Sequence, residues 1–254
     1  MRVTSRDKAM DRLHRKVEDF KAIRPPSILL IRKAPRGISA PKGRLGIFPA
    51  SFNPPTKAHV ALIREARKKY DLDEILVLLD LQAMDKRIVG APPELRIEML
   101  KIIFRRDPKI SIGLSNRGLF LEKIKPLRKL FMSPVTIHFI VGFDTILRVM
   151  DKRYYRNRKR SLDSLFEGCQ FLVANRGGHE KEAFERLFQE RGNQRYKRKV
   201  SFFTLPKRLS SLSSSLVRDR IKDRKPVEDL VSSSIRRYIE KTGLYIERYR
   251  RGRR

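Results

Sequence analysis

An α/β architecture, with a mainly parallel sheet doubly wound by helices and a helical extension ahead of it, is predicted by three features of this 254-residue chain. Strand-length apolar runs alternate with stretches of helical periodicity between residues 45 and 204, the order that builds a parallel sheet covered on both faces. No apolar run reaches the roughly eighteen residues of a membrane span, and the longest tracts, Ile28 to Ile31 and Ile75 to Leu79, have strand length. Two hydroxyl-bearing segments, 51 to 59 and 210 to 218, each follow a predicted strand. In such a sheet the ligand crevice lies beyond the carboxyl ends of the strands, where both segments can meet.

Taken in order, Met10, Leu13, Val17 and Phe20 recur at three- and four-residue steps and predict an amphipathic helix over 5 to 23, ended by Pro25-Pro26. This helix packs on the parent domain or on a second copy, and a homo-oligomer is one possible outcome. An apolar run from Ser27 to Ile31 and a basic linker from Lys33 to Arg44 follow. Strands are then predicted over 45–50, 74–79, 109–113, 135–141, 169–174 and 199–204, and helices over 56–69, 93–105, 119–130, 144–150, 179–190 and 227–241, with Gly243 as the last stop. The expected organisation is a basic extension over 1–43, a Rossmann-like domain over 44–246 and a basic tail over 247–254.

The 60 Lys and Arg against 28 Asp and Glu leave a formal charge of +32, spread along the chain and denser at both ends. Such a field draws in anionic substrates and also holds nucleic acid non-specifically, in a salt-dependent way. The lone Cys169 excludes an internal disulfide and a thiolate metal site. The N-terminal stretch has no apolar signal core, and Asp7, Asp11, Glu18 and Asp19 argue against a transit peptide, so a cytoplasmic protein is expected.

Gly46-Ile47-Phe48-Pro49-Ala50-Ser51-Phe52-Asn53-Pro54-Pro55-Thr56-Lys57-Ala58-His59 reads as an apolar strand that turns sharply into a helix. The prolines fix the turn, and Thr56 and His59 share a face of the first helical turn, where backbone N–H groups and the positive dipole end favour an anion. The plainer reading makes Thr56 an N-cap and His59 a surface residue. Leu212-Ser213-Ser214-Ser215-Leu216-Val217-Arg218 supplies three hydroxyls and, one turn later, a guanidinium, again a phosphate-binding composition. Val141-Gly142-Phe143-Asp144-Thr145 ends a strand with a glycine that permits close approach and a carboxylate able to accept ribose hydroxyls.

Ser-Phe-Asn-Pro-Pro-Thr-x-x-His at 51–59 resembles the (His/Thr)-x-x-His signature of the nucleotidyltransferase superfamily, and in wording is most similar to nicotinamide or nicotinate mononucleotide adenylyltransferases. The segment 212–218 resembles that family's Ile-Ser-Ser-Thr-x-x-Arg, and Gly142-Phe143-Asp144 its Gly-x-Asp. The resemblance implies transfer of AMP from ATP to a pyridine mononucleotide with release of pyrophosphate, Mg2+ arriving on the nucleotide phosphates. It implies catalytic roles for His59, Thr56 and Arg218. ATP contacts are implied for Phe48, Ser51, Phe52, His59, Gly142, Asp144, Ser213, Ser214, Ser215 and Arg218, and acceptor contacts for Asn53, Arg96, Asp144, Tyr155 and Arg176. Lys86, in the segment that approaches the mononucleotide phosphate in relatives, is a further candidate. Ala58 and Phe143 depart from the usual Gly and Ala, and with no Trp in the chain Tyr154-Tyr155 offer the substitute for a ring-stacking aromatic. Two alternatives stay open: the same chemistry on another acceptor such as phosphopantetheine, or a nucleotide- or RNA-binding protein of this fold.

Overall fold

The computed structural model describes residues 5–39, 42–83, 88–131, 134–175 and 181–246. Seven strands form one sheet: β1 (Ile28–Arg32), β2 (Arg44–Ala50), β3 (Glu74–Asp80), β4 (Ile110–Ser115), β5 (Thr136–Gly142), β6 (Gln170–Ala174) and β7 (Val200–Phe203), in the order β1-β4-β3-β2-β5-β6-β7. Only β1 runs antiparallel, pairing Ile28 with Ser115. The apolar run before the basic linker is therefore an edge strand of the same sheet. Because β2 pairs with β3 on one side and β5 on the other, the winding reverses there, which opens a crevice at their carboxyl ends.

Helices α1 (Ser5–Ala22), α2 (Lys57–Tyr70), α3 (Pro93–Phe104), α4 (Phe120–Leu130), α5 (Phe143–Met150), α6 (Arg158–Gly168) and α7 (Lys181–Gln189) accompany the strands, and α8 (Lys207–Ser210), α9 (Ser214–Lys222) and α10 (Ser233–Thr242) close the chain. The period-2 pleat of β3 sorts its side chains: Leu76 and Leu78 join the apolar layer with α4 to α7, while Ile75, Val77 and Leu79 join the layer with α1, α2 and α3. Leu13, Val17 and Phe20 of α1 are buried in that second layer, so the extension packs on its own domain.

The predicted strands and most helices stand within a few residues of their expected bounds. The expected helix over 227–241 begins only at Ser233, because Ser232 caps it by accepting from the Ile235 amide, while Val227, Leu230 and Val231 are buried in turns. Gly243 ends it at φ 64°, as expected of a left-handed stop. Helix α6 has no counterpart among the predicted helices. Its apolar face is the narrow set Leu162, Leu165 and Phe166, preceded by Arg158-Lys159-Arg160. No described helix is long and apolar enough to cross a membrane. Arg176, Lys86 and the tail 247–254 lie outside the described residues.

Candidate active site

Strand β2 delivers the chain to the crevice, and the turn that follows is held in an unusual shape. Phe52 adopts φ 46°, a left-handed conformation costly for a bulky residue, and is buried against Phe48 with ring centroids 5.6 Å apart. Both rings also pack on the His59 imidazole, at 5.8 and 5.3 Å. Thr56 is the N-cap of α2, and its backbone N–H donates to His59 Nδ1 at 2.9 Å. Accepting from an amide leaves Nδ1 without a proton, so the neutral ring carries its proton on Nε2. The Thr56 hydroxyl lies 2.8 Å from the same nitrogen and donates to it. Thr56 therefore sets the tautomer and orientation of His59.

The second segment locks onto this turn from 160 residues away. Ser213 caps α9 by accepting from the Leu216 amide. The Ser214 hydroxyl donates to the Pro54 carbonyl at 2.7 Å, and Arg218 Nη1 donates to the Asn53 carbonyl at 2.7 Å. Arg218 Nη2 donates to Ser215 Oγ at 3.1 Å. The two hydroxyls thus divide: the Ser214 proton is committed to holding the turn, whereas Ser215 accepts from Arg218 and keeps its own proton to donate. The cradle expected at the start of α2 is partly occupied by the chain itself, since the Lys57 amide donates to the Leu230 carbonyl at 2.8 Å.

A cavity of about 390 Å3 opens at this point, lined by Phe48, Ser51, Asn53, His59, Gly142, Asp144, Ser213, Ser214, Ser215 and Arg218 together with an apolar wall that includes Ile88, Val89 and Phe120. The imidazole-bearing and guanidinium-bearing segments thus share one cavity. Asp144, in the first turn of α5, pairs through Oδ2 with Arg148 at 3.4 Å, while its Oδ1 is buried with no hydrogen-bond partner among the described residues, an acceptor suited to a ligand hydroxyl. Asn53 is buried and spent on the protein: its amide donates to the Val89 carbonyl at 2.7 Å, and its Oδ1 accepts from the Ala91 amide and the Tyr245 hydroxyl, each at 3.0 Å. Gly90 stands at φ 130°, and a Cβ there would meet the Asn53 amide at 2.6 Å. Burial raises the Tyr245 hydroxyl well above the ordinary phenol range, so it stays a donor.

Four expected site residues do not line the cavity: Thr56, which reaches it only through His59, and three others. Phe52 lies beneath the cavity as the support of His59. Arg96, expected at the acceptor phosphate, is buried in α3 and donates through Nη1 to the Ser51 carbonyl at 2.9 Å; burial lowers its pKa to about 10. Tyr155, expected near the pyridine ring, gives its hydroxyl to the Val149 carbonyl at 2.8 Å, with burial raising its pKa to about 12, and is not among the cavity-lining residues.

Sequence reasoning missed an ion pair. Asp80, at the end of β3, lines the cavity, and its Oδ1 lies 3.2 Å from the Nζ of the fully buried Lys123 of α4. Lys123 also donates to the Arg117 and Gly118 carbonyls at 2.5 and 3.0 Å. Burial pushes the Asp80 carboxyl up to about 7 despite the opposing pull of Lys123. One signal was present: Phe120, Lys123 and Leu127 share a helix face, and a lysine on an apolar face requires an acid partner.

The cytidylyltransferase-like family model matches residues 47–220. A Bacillus subtilis strain 168 protein named nicotinate-nucleotide adenylyltransferase is 25% identical over 209 residues, spanning 80% of this chain and 98% of that protein. The fold is similar to Plasmodium falciparum nicotinic acid mononucleotide adenylyltransferase complexed with NaAD, at a TM-score of 0.60 and 20% identity over 80% of this chain and 97% of that one.

Proposed function

The chain belongs to the cytidylyltransferase-like family, and from that premise we propose that it transfers the adenylyl group of ATP to nicotinate or nicotinamide mononucleotide and releases pyrophosphate. The names of its relatives favour the nicotinate form. The observation that carries the reading is that His59 and Arg218, 159 positions apart in sequence, line one cavity at the carboxyl ends of β2 and β5. Two anions have to be brought together there; the residues provide donors, and the in-line reaction needs no covalent nucleophile.

A 5′-phosphate oxygen of the mononucleotide attacks the α-phosphorus of ATP in line; that O–P bond forms as the bond to the pyrophosphate oxygen breaks. Catalysis is then positioning and charge stabilisation. His59, its Nδ1 held by Thr56, donates from Nε2 to the reacting phosphate. Ser215 and Arg218 hold the leaving pyrophosphate, the planar guanidinium matching its oxygens. Ser214 and Asn53 keep the turn in place, and Asp144 accepts ribose hydroxyls. Mg2+ supplies charge neutralisation on the phosphates. Of the two cavity carboxylates among the described residues, Asp80 pairs with Lys123 and Asp144 shares its charge with Arg148, a donor set that fits an ion carried by the nucleotide rather than one caged by protein. Among the described residues, the one His and carboxylate group of metal-ligand type, His14, Glu18 and Glu94, has no member lining the cavity.

Residues 44–246 carry this chemistry in our reading. The test is pyrophosphate release from ATP with each pyridine mononucleotide in turn. Turnover with at least one is expected; release with neither, but with phosphopantetheine, moves the acceptor, and release with none overturns the reading. The +32 charge supports a separate, salt-sensitive attraction for nucleic acid, measured as RNA retention lost as salt rises.

A further inference from the structure

Strands β2 to β7 run parallel, so all of them begin at the end of the sheet opposite the crevice, and the helices that return between them end there too. Lysine and arginine gather at this end. Arg44 opens β2, while Lys109 and Lys199 stand immediately before β4 and β7. The backbone fixes their row: the Asp73 amide, just ahead of β3, donates to the Arg44 carbonyl at 2.9 Å, and the Ile75 amide donates to the Lys109 carbonyl at 3.0 Å. Lys68, Arg105 and Arg128 stand at the ends of α2, α3 and α4. All of these cations are exposed, and among the described residues none of them takes part in an ion pair. By contrast Arg148 of α5 and Arg220 of α9, helices that begin at the crevice, are paired with Asp144 and Asp229. Of the carboxylates beside the basal row, Asp107 is paired with Arg67 at 2.7 Å and Asp73 accepts from the Arg44 amide at 2.8 Å, while Asp71 and Glu167 are exposed.

We propose that this basal face is a second binding surface, for the phosphate backbone of a nucleic-acid duplex, separate from the crevice where the nucleotides react. A cation at a helix carboxyl end complements the helix dipole, a structural reason that covers Lys68, Arg105 and Arg128. Sheets have little net dipole, so Arg44, Lys109 and Lys199 lack that reason. Unpaired charge on one face repels itself, and a polyanion relieves the repulsion. From β4 to β7 the row crosses five strand intervals, about 24 Å, a length over which a duplex presents about 14 phosphates on its two strands. The large apolar side chains exposed among the described residues are Ile23, Val89, Leu147 and Ile246, none aromatic and none at the start of a parallel strand. Single strands are held by stacking on aromatic rings, and anionic membranes by inserted apolar side chains as well as by charge; this face offers charge alone, which suits a duplex. The surface stands apart from the adenylyltransferase reading and gives the attraction drawn from net charge a place on the molecule.

The experiment measures binding of the full chain to a fluorescent mixed-sequence duplex of about 20 base pairs, made as DNA and as RNA, as salt rises from about 50 to about 200 mM. The basal variant combines Arg44→Gln, Lys109→Gln and Lys199→Gln. A control of equal charge combines Arg12→Gln, Arg15→Gln and Lys16→Gln on the exposed side of α1, and a further chain ends at residue 246. Wild type is expected to bind both duplexes, because the contacts go to phosphates. In the basal variant the slope of log K against log salt on DNA should fall by about 2.7, three contacts' worth, with binding at low salt weakened at least about ten-fold. The control should change the slope by less than about 1, and pyrophosphate release by the basal variant should match wild type. Equal losses in the basal and control variants mean diffuse net charge and overturn the placement. Binding abolished by removing 247–254, with the basal variant unaffected, puts the contact in the tail and overturns it as well. Tighter binding of a single-stranded oligonucleotide than of either duplex, or binding to phosphatidylserine vesicles with neither duplex bound, overturns the choice of partner. If the triple variant melts early, Lys109→Gln and Lys199→Gln decide singly, each expected to remove about 0.9 of slope. Absence of pyrophosphate release in the wild type overturns the adenylyltransferase reading and leaves the duplex measurement to decide this one.

Discussion

Where α2 meets α9, the cavity wall is cross-linked by donors giving to backbone carbonyls: Ser214 to Pro54, Arg218 to Asn53, and the Lys57 amide to Leu230. On the β3 and β4 side the wall is held instead by one buried ion pair, with Lys123 gripping Asp80 and the Arg117 and Gly118 carbonyls. The first arrangement is distributed, and each bond contributes about 1 kcal/mol, or somewhat more where the donor is charged. The second is concentrated, because removing one member strands the other in a low-dielectric site. The two walls should therefore fail differently, the phosphate side in catalysis and the ion-pair side in folding.

The largest effect expected is in stability. Lys123→Met should cost about 3–5 kcal/mol in chemical denaturation, while the paired change Lys123→Met with Asp80→Leu recovers much of it. A loss under about 1 kcal/mol for the single variant would erase the contrast between the walls. Next, His59→Ala should lower the rate of pyrophosphate release by two to three decades, about 3–4 kcal/mol, with only about 1 kcal/mol lost from stability as the cap of α2 weakens. Near wild-type turnover in that variant would remove the proposed role of the imidazole.

A pH experiment sharpens the ion-pair side. Burial holds the Asp80 carboxyl up to about 7, against an ordinary 3.8, so between those values the native protein keeps a proton that the unfolded chain has released. Stability attributable to this group is therefore full at low pH and falls as pH rises through that window. Asp80→Asn has no such dependence. The melting-temperature deficit of the variant should shrink between about pH 5 and about pH 7.5, and a deficit constant across that range would show that the carboxyl ionises normally. The smallest effect is reserved for the distributed side: Tyr245→Phe, which removes one donor to Asn53, should cost about 1 kcal/mol and change turnover little.

The parts legible in the sequence are those built from neighbours along the chain. Strand and helix order follow from periodicity, and His59, Thr56 and Arg218 stand out because their spacing places hydroxyl, imidazole and guanidinium on first and second helical turns. The rest depends on partners far apart in sequence. Asp80 and Lys123 are 43 positions apart and carry no motif. Arg96 falls in a suggestive segment, but nothing local reveals that its guanidinium donates to the Ser51 carbonyl. Tyr155 suggests a stacking aromatic in a chain that lacks Trp, whereas the turn after α5 folds its hydroxyl back onto Val149. Ser214 and Ser215 are adjacent and chemically identical, and only the fold separates the latch from the donor.

The sheet ends on one side in β7, four residues long, with Arg195, Lys197, Arg198 and Lys199 just before it and Pro206, Lys207 and Arg208 just after. A second molecule adding its own β7 in either direction would bring cations against cations and would run out of amide donors at the proline. Growth of one continuous ribbon across copies through this border is thereby opposed, and a dimer of this chain has to be assembled from some other part of its exterior.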